Sequence, residues 1–364
     1  MNDVLAAALR RAADHQERFE ACFATHFDAL AEVSPGGGGA QLPPGGRFPA
    51  RALGLVRELS LRGGKRLRVA LLYEAAALVA DRPVPGLDAA AISVELLHTH
   101  GLVHDDLIDD APLRRGGPST YYAYRAEFPD RPDTALALAV LAGDLAAFLA
   151  VRALLTGDLP PERALAMAAV ATDAAAAAVN GQLLDLERDF LPDPDTAFLH
   201  TVTEYKSTRY SILAPLRLGL LAAGAAPAPH DADLRAYATA LGTANQIHDD
   251  WLDLFGDPAT LGKPLGTDLR SGRHSYLVHA LLAATADDPS ARADLRAALG
   301  SPDPAALTAL RALARTHHVD RALSVEAARH ARRAAALAAD WRHWRPEAVA
   351  FFTQLPAWSV TRDH

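Results

Sequence analysis

The spacing of apolar residues along the chain is helical almost throughout. Residues 3–33 form the first predicted helix, where Val4, Leu5 and Ala8 begin a series at three- and four-residue intervals. From Phe48 to the C-terminus one such stretch follows another, separated by short breaks rich in glycine, proline and aspartate. No stretch alternates apolar and polar residues for long enough to predict a sheet. The pattern therefore predicts an all-α fold.

A connector rich in glycine and proline, Ser34–Gly46, separates the first helix from the rest. We expect residues 1–47 to pack, as a helix and its connector, on a helical bundle formed by residues 48–364. The stretches Leu136–Leu155 and Arg163–Leu186 are rich in alanine, and small side chains let helices approach one another closely. Because no linker follows residue 47, we predict one domain overall.

Composition narrows the classes of protein that fit. Half of the 364 residues are hydrophobic, and the formal net charge of −8 argues against a nucleic-acid partner. Cys22 is the single cysteine, so no internal disulfide forms and a reducing cytoplasm fits. The N-terminus lacks a cleavable apolar segment, and charged residues such as Asp144, Arg152 and Asp173 interrupt the most apolar windows. We therefore predict a cytoplasmic protein without a membrane span.

The stretch His98–Ser119 joins an apolar helical run to four aspartates and two arginines, Arg114 and Arg115. If the helix continues through the acids, Asp105 and Asp109 lie one turn apart and their side chains share a face. Crowded carboxylates repel one another unless cations lie between them, and Mg²⁺ prefers a few carboxylates together with phosphate oxygens. Such a cluster is also typical of a solvated helix end, so its interpretation depends on the rest of the chain.

A second acidic cluster, in Gln246–Asp253, has the same spacing. Asp249 and Asp253 are four residues apart, Asp250 is adjacent, and an apolar helical run precedes them. Two such clusters on separate helices are expected to face each other across a cavity and hold a diphosphate through bridging metal ions.

Basic residues accompany both clusters. Lys65 and Arg68 follow Gly63 and Gly64 at a predicted helix start, which suits anion binding, and Lys206 and Lys263 lie in other segments. Each is more often an ordinary solvated cation, so their significance comes from occurring together with the two acidic clusters.

The chain resembles the polyprenyl synthetase family, the trans-isoprenyl diphosphate synthases that join isopentenyl diphosphate to an allylic diphosphate. The matching motifs follow the family's order over roughly residues 48–276: GGKRLR (63–68), ELLHTHGLVHDDLIDD (95–110), RRGGPS (114–119), YKS (205–207), QIHDDWLD (246–253) and GKPLGTDL (262–269). The resemblance implies the isoprenoid synthase type of helical bundle, with a central substrate cavity, and a homodimer.

The resemblance also implies roles for individual residues. The metal ligands would be Asp105, Asp106, Asp109, Asp249, Asp250 and Asp253. Isopentenyl diphosphate would be held by Lys65, Arg68, His98 and Arg115, and the allylic diphosphate by Arg114, Lys206 and Lys263. Ser207 and Gln246 would lie near the reacting carbons. The catalytic group would comprise Asp105, Asp109, Lys206, Ser207, Gln246 and Asp249. Three Mg²⁺ ions per site are expected, for which Mn²⁺ substitutes.

By resemblance, the reaction is a head-to-tail 1′-4 condensation that uses dimethylallyl, geranyl or farnesyl diphosphate as starter. Residues one turn before Asp105 would line the pocket for the growing tail, and these are His100 and Gly101. Since bulky aromatic residues there stop growth early in the family, this pair favours a C20 product, geranylgeranyl diphosphate, over the C15 farnesyl diphosphate. The alternatives are a class I terpene cyclase and a non-catalytic subunit of a heteromeric prenyl synthase.

Overall fold

The structure is a computed structural model that describes residues 3–31, 43, 46–82, 84–191, 195–257, 261 and 265–361. Helices dominate it, which confirms the all-α prediction. The α-helices are α1 Asp3–Ala31, α2 Arg47–Leu61, α3 Leu67–Ala77, α4 Leu87–Ile108, α5 Thr120–Glu127, α6 Pro132–Thr156, α7 Pro161–Glu187, α8 Thr196–Thr203, α9 Ala214–Ala222, α10 Asp231–Phe255, α11 Thr267–Arg270, α12 Tyr276–Ala284, α13 Pro289–Ala298, α14 Pro304–Thr316, α15 Val319–Ala339 and α16 Pro346–Ser359.

Three kinds of shorter element complete the described chain. The strands β1 (Leu113–Arg114) and β2 (Gly117–Pro118) pair as an antiparallel hairpin, which the sequence pattern did not predict. A π-helix runs from Glu204 to Leu213, and 3₁₀ turns occupy Arg188–Phe190 and Ala228–His230. Most of the connector 34–46 lies outside the described residues.

The chain divides into two compact units. Unit 1 contains residues 6–173 and 215–227, and unit 2 consists mainly of residues 174–214 and 228–361. The expectation of one domain overall, with the first helix and connector packed on it, stays a prediction.

The core of unit 1 contains a row of three phenylalanines from α1. Phe19, Phe23 and Phe27 follow one another at four-residue spacing, are fully buried, and have ring centroids 4.9 and 5.0 Å apart. They pack with apolar side chains of α2, α3, α4 and α6. The helical period of the sequence thus places one aromatic face of α1 inside this core.

Helix α6 packs along α4 through alanines. Its buried residues include six alanines, together with Gly143, Leu149 and Leu154; the alanines are Ala135, Ala139, Ala142, Ala146, Ala150 and Ala153. At Gly143 the helices are so close that an added Cβ would lie 2.5 Å from the Nε2 atom of His104. By length and composition, α6 and α7 are each apolar enough to cross a membrane. The packing of α6 on α4 explains why the alanine face of α6 is apolar.

Unit 2 is built on α10 and α15. Tyr237 of α10 is fully buried beside Trp341 and Phe352, with ring centroids 5.0 and 5.8 Å away. Its hydroxyl donates a hydrogen bond of 3.1 Å to the Phe352 carbonyl. A second apolar cluster joins α8, α10, α12, α14 and α15.

Two glycines allow close contacts with the π-helix. A Cβ on Gly181 would lie 2.0 Å from the backbone nitrogen of Lys206, and one on Gly242 would lie 2.0 Å from Oγ1 of Thr208. Backbone and a buried threonine cannot move aside as a flexible side chain can. The π-helix, a rare element that is often found at functional sites, is therefore held between two helices.

We expect Gly181→Ala to lower the free energy of unfolding by about 1–3 kcal/mol, because the added methyl overpacks the α7 contact. Urea unfolding followed by circular dichroism measures this. Gly54→Ala is the matched control, since a Cβ there meets nothing within 4 Å and removing a helix glycine stabilises by about 0.5–1 kcal/mol. Equal stability of the two variants would contradict the close contact.

Candidate active site

The β1–β2 hairpin directs two consecutive arginines to different partners. Its central residues, Arg115 and Gly116, have φ of 52° and 73°, the positive values that a type I′ turn requires. Arg62 supports the hairpin, because its Nη1 donates to the carbonyl oxygens of Arg114 at 3.1 Å and of Pro118 at 2.6 Å. The turn therefore holds the backbone of both arginines in a fixed position.

Arg115 belongs to a basic cluster with His98 and Arg68. Its Nη2 donates to His98 Nε2 at 3.1 Å, which makes the imidazole an acceptor and therefore neutral. Burial lowers the pKa of His98 well below its usual value, and Arg68 and Arg115 lower it further. Burial, together with neighbouring arginines, also lowers the pKa of Arg115 to about 10, although Glu95 opposes this. Cations held close to one another are a favourable place for a phosphate.

Gly64 lies against this cluster. Its φ is 136°, and a Cβ there would be 3.1 Å from Nη2 of Arg115, so a side chain would press on the guanidinium. The glycine of the GGKRLR motif and the arginine of the RRGG motif are thus neighbours in space. The sequence placed both near one diphosphate but gave no contact between them.

The prediction that Lys65 and Arg68 share a helix is wrong. Arg66 has φ of 47° in the left-handed region and α3 begins only at Leu67, so Lys65 is an exposed loop residue before the helix. Arg68 lies in the first turn of α3 and is half-buried.

Arg66 is buried, a placement that the motif did not indicate. Its Nη1 donates to Glu95 Oε2 at 2.6 Å, with both side chains almost fully buried, and its Nη2 donates to the Ser60 carbonyl at 2.7 Å. Its guanidinium carbon also lies 5.3 Å from the ring centre of Phe19. Because arginines of one motif look alike in sequence, only the structure separates this one from Arg68.

The carboxylates of the first acidic cluster differ in burial. Helix α4 ends at Ile108, and Asp109 caps it with a backbone bond of 2.9 Å to the Asp105 carbonyl. Asp105 and Asp109 are half-buried, whereas Asp106 is only 1% exposed and is paired with Arg114, whose Nε donates to its Oδ1 at 2.7 Å. Burial raises the pKa of Asp106 to about 6, against the lowering effect of Arg114.

These carboxylates provide a donor set that fits a hard divalent cation. Asp105 and Asp109 are one turn apart at an exposed helix end, and Oδ2 of Asp106 has no hydrogen-bond partner among the described residues. Arg114 reaches Asp105 Oδ2 only at 3.5 Å. Asp110, which the sequence left unassigned, is exposed and accepts a hydrogen bond of 3.0 Å from the Tyr122 hydroxyl.

The second acidic cluster, in unit 2, also has one exposed member. Asp249 is exposed, while Asp250 and Asp253 are buried. Asp253 accepts hydrogen bonds of 3.2 Å from the backbone nitrogens of Thr267 and Asp268, and so caps the short helix α11. The structure brings Asp268 to this cluster, although the sequence gave it no role beyond the shared GKPLGTDL motif.

Asp250 is bonded through both carboxylate oxygens. Gln246 donates its side-chain amide to Oδ1 at 2.8 Å, and the backbone nitrogen of Tyr276 donates to Oδ2 at 2.7 Å. Burial raises the pKa of Asp250 to about 8, and the nearby Asp268 raises it as well. Gln246, predicted to lie near the reacting carbons, is therefore also a partner of this aspartate.

Lys206 is paired with a carboxylate that the sequence analysis missed. Its Nζ donates to Asp185 Oδ2 at 2.6 Å, and Arg188 lies 2.6 Å from Oδ1 of the same residue. Burial of Asp185 raises its pKa, but Lys206 and Arg188 outweigh that effect and hold the pKa below its usual value. The signal was weak, because Asp185 is one acid in a long alanine-rich helix. Ser207 follows Lys206 in the π-helix and is half-buried, and Lys263 lies outside the described residues.

His100, the predicted limit of the product pocket, lies on α4 one turn before the acids. Its Nδ1 is 3.1 Å from the Gly143 carbonyl of α6. Its neighbour Gly101 has open space, since an added Cβ would meet nothing within 4 Å.

Comparison with known proteins agrees with the motifs. The family model for polyprenyl synthetase matches residues 52–315. The chain belongs to the polyprenyl synthetase family. It is 32% identical over 232 residues to a short chain isoprenyl diphosphate synthase of Methanothermobacter thermautotrophicus, which covers 63% of this chain and 66% of that protein. It is 37% identical over 224 residues to the farnesyl diphosphate synthase of Escherichia coli, covering 60% and 71%.

The solved structures extend the likeness to nearly the whole chain. The geranylgeranyl pyrophosphate synthase of Corynebacterium glutamicum, crystallised with isoprenyl diphosphate and magnesium, superposes with a TM-score of 0.86 at 25% identity. The alignment covers 96% of this chain and 98% of that one. The curated relatives are isoprenyl diphosphate synthases, that is, prenyltransferases, but they include farnesyl, geranylgeranyl and geranylfarnesyl diphosphate synthases, so the length of the product is open.

Proposed function

We propose that this protein is a short-chain trans-prenyltransferase that condenses isopentenyl diphosphate with an allylic diphosphate in a head-to-tail 1′-4 reaction. One observation carries the proposal: a single hairpin turn directs Arg115 to the basic cluster around His98 and Arg114 to the acidic cluster at the end of α4. A cluster of cations and a cluster of carboxylates thus lie beside each other within unit 1. A transferase that joins two diphosphate substrates needs such a pair.

The basic cluster is proposed to bind isopentenyl diphosphate. Arg68 and Arg115 supply guanidinium groups, and neutral His98 adds a hydrogen-bond partner. Lys65, exposed on the loop before α3, is proposed to add an ammonium group. Because His98 is neutral, it does not repel Arg68 and Arg115, and the three side chains stay closely spaced before substrate binds. Substrate then replaces the repulsion between arginines with attraction.

The aspartates are proposed to bind Mg²⁺ and, through it, the allylic diphosphate. Bound Mg²⁺, three ions per site with Mn²⁺ as a substitute, would neutralise charge that develops on the departing diphosphate. Asp105 and Asp109 in unit 1 and Asp249 in unit 2 are the carboxylates most open to ions. Asp106, Asp250 and Asp253 complete the proposed ligand set from more enclosed positions.

Cations of the chain are proposed to assist at the departing diphosphate. Arg114 is held beside Asp105 and Asp106, and Lys206 is held by Asp185, so both are oriented before substrate binds. Lys263 is proposed as a third cation from its motif. Ser207 and Gln246 are proposed to lie near the reacting carbons, where the apolar bundle would keep the allylic cation from water. The released pyrophosphate is proposed to take the final proton.

The two alternatives fit less well. A class I terpene cyclase usually has an Asn/Ser/Glu metal triad at the second cluster, whereas this chain has QIHDDWLD and retains the basic residues for isopentenyl diphosphate. A non-catalytic subunit tends to lose aspartates from one cluster, and both clusters are intact. We therefore favour the condensing enzyme.

Asp105→Ala and Asp249→Ala are each expected to lower product formation by at least about 100-fold, because each removes a carboxylate proposed to hold Mg²⁺. Product formation is measured with isopentenyl diphosphate, a C5, C10 or C15 allylic diphosphate and Mg²⁺, followed by chromatography. Circular dichroism checks that the helices remain.

The control for this experiment is Asp110→Ala. Asp110 is adjacent in sequence but exposed, and Tyr122 is its hydrogen-bond partner, so its loss should leave turnover near that of the wild type. Near-normal turnover in Asp105→Ala or Asp249→Ala would refute the metal assignment.

We propose geranylgeranyl diphosphate (C20) as the product, with dimethylallyl, geranyl or farnesyl diphosphate accepted as starter. His100 is smaller than the aromatic residues that end growth at C15 in the family, and Gly101 leaves open space. The ring of His100 rests on α6 through the Gly143 carbonyl, so it forms a fixed stop.

His100→Ala is expected to shift the main product to a chain at least one C5 unit longer, because the stop is removed. Gly101→Phe is the opposite variant: its side chain enters open space and should shift the product to C15 or shorter. Chromatography of dephosphorylated products measures both. An unchanged distribution in both variants would exclude this turn of α4 as the limit.

A homodimer in the cytoplasm is the proposed form of the enzyme. The face of α6 opposite its alanine face is also apolar, with Phe148 75% and Leu141 61% exposed, and Leu136, Val140 and Leu155 lie along the same helix. So large an exposed apolar stripe indicates a contact surface. We propose that a second copy of the chain covers it.

The double variant Leu141→Asp/Phe148→Asp is expected to be monomeric, because burying two carboxylates in an apolar interface is unfavourable. Multi-angle light scattering after gel filtration measures the mass. The matched control Asp130→Ala, at the exposed turn before α6, should stay dimeric. A monomeric wild type, or one that partitions into lipid vesicles, would contradict the dimer.

A further inference from the structure

Two histidines and an aspartate converge between α4 and α6, beside but not within the acidic cluster. His100 and His104 are one turn apart on α4, with ring centroids 4.6 Å apart. Asp144 of α6 lies across from them, its Oδ1 3.3 Å from Nε2 of His104. One ligand atom from each residue lies within 4.8 Å of the other two, and all three side chains are half-buried.

The hydrogen bonding of this group leaves the imidazoles ready to act as ligands. Nδ1 of His100 is 3.1 Å from the Gly143 carbonyl, which can only accept, so the proton is on Nδ1 and Nε2 presents a lone pair. A carbonyl behind a histidine is the usual support for a metal-binding ring. Burial and the neighbouring His104 lower the pKa of His100, which favours the neutral form.

One ring nitrogen of His104 is buried without a hydrogen bond among the described residues. Its Nε2 is shielded from solvent and has no hydrogen-bond partner among the described residues, because Asp144 is poorly aligned with it despite the short distance. A Cβ on Gly143 would come within 2.5 Å of that nitrogen. Glycine at this position therefore lets the His104 ring lie directly against the backbone of α6.

We propose that His100, His104 and Asp144 form a second cation site, selective for Zn²⁺ or a similar borderline metal over Mg²⁺. Imidazole nitrogen suits zinc, whereas magnesium prefers oxygen ligands throughout. Ligand atoms of a tetrahedral zinc with bonds of about 2.0–2.1 Å are roughly 3.3 Å apart, the separation already present between His104 and Asp144. His100 would supply the third ligand, since its ligand atom lies within 4.8 Å of the other two, and water the fourth.

The site is separate from the proposed Mg²⁺ ligands by chemistry and by direction. Asp105 and Asp109 offer oxygen only, while the histidines of α4 turn toward α6 and its Gly143. Saturating Mg²⁺ should therefore leave this site available for zinc.

The test is a calorimetric titration of the metal-free full-length protein with Zn²⁺ in the presence of millimolar Mg²⁺ and without isoprenyl substrates. The wild type is expected to bind one Zn²⁺ per chain, and His104→Ala and Asp144→Asn to bind it at least 10-fold more weakly. Co²⁺ in place of Zn²⁺ should give the visible absorption of a four- or five-coordinate site in the wild type alone. Circular dichroism confirms that each variant is folded, and Asp144→Asn keeps the side-chain volume if His104→Ala is unstable.

His330→Ala is the matched control, because His330 also lies beside a carboxylate of its own helix, 3.2 Å from Glu326. This variant should bind zinc as the wild type does. The proposal is overturned if the wild type binds no Zn²⁺ above Mg²⁺, or if His104→Ala and Asp144→Asn bind it as tightly as the wild type. Since no isoprenyl substrate is present, either failure leaves the proposed prenyl transfer untouched.

Discussion

The buried ion pair between Arg66 and Glu95 is the constraint on which the basic cluster of unit 1 depends. It joins the loop before α3 to the middle of α4, while the same guanidinium lies over Phe19 of α1. Removing one partner of such a pair leaves a buried charge and typically costs about 3–5 kcal/mol. To reach Glu95, the backbone at Arg66 adopts a left-handed conformation after two glycines of positive φ. That loop in turn sets the place of Arg68 and the contact between Gly64 and Arg115.

The acids of the proposed site differ in burial and in the direction of their pKa shifts. Asp106 and Asp250 are enclosed and have raised pKa values, because burial penalises their charge more than their partners stabilise it. Asp185 is equally enclosed but lies between Lys206 and Arg188, so its charge is stabilised. Asp105 and Asp109 are only half-buried, and Asp249 is exposed. Within each unit the enclosed acids thus also position helices and cations.

The sequence predicted the features that depend on the helical spacing of apolar residues and on the order of the motifs. The helical pattern, the breaks and the positions of both aspartate clusters follow from spacing along single helices, which α4 and α10 preserve. It missed features set by contacts between distant segments. What distinguishes Arg66 from Arg68 is its ion pair with Glu95, which lies 29 residues further along the chain. The π-helix depends on close contacts at Gly181 and Gly242, and no local propensity predicts it.

The β1–β2 hairpin has a consequence for how this active site tolerates change. Arg114 ends β1 and Arg115 begins a two-residue turn, so one peptide bond separates a partner of Asp106 from a partner of His98. In a tight hairpin, register is fixed by loop length, and a shift of one residue reverses which side chains point to which face. A single-residue insertion or deletion here would therefore redirect both arginines away from Asp106 and His98, even where it leaves the net charge unchanged. The spacing within RRGG is thus as much a part of the site as the arginines themselves.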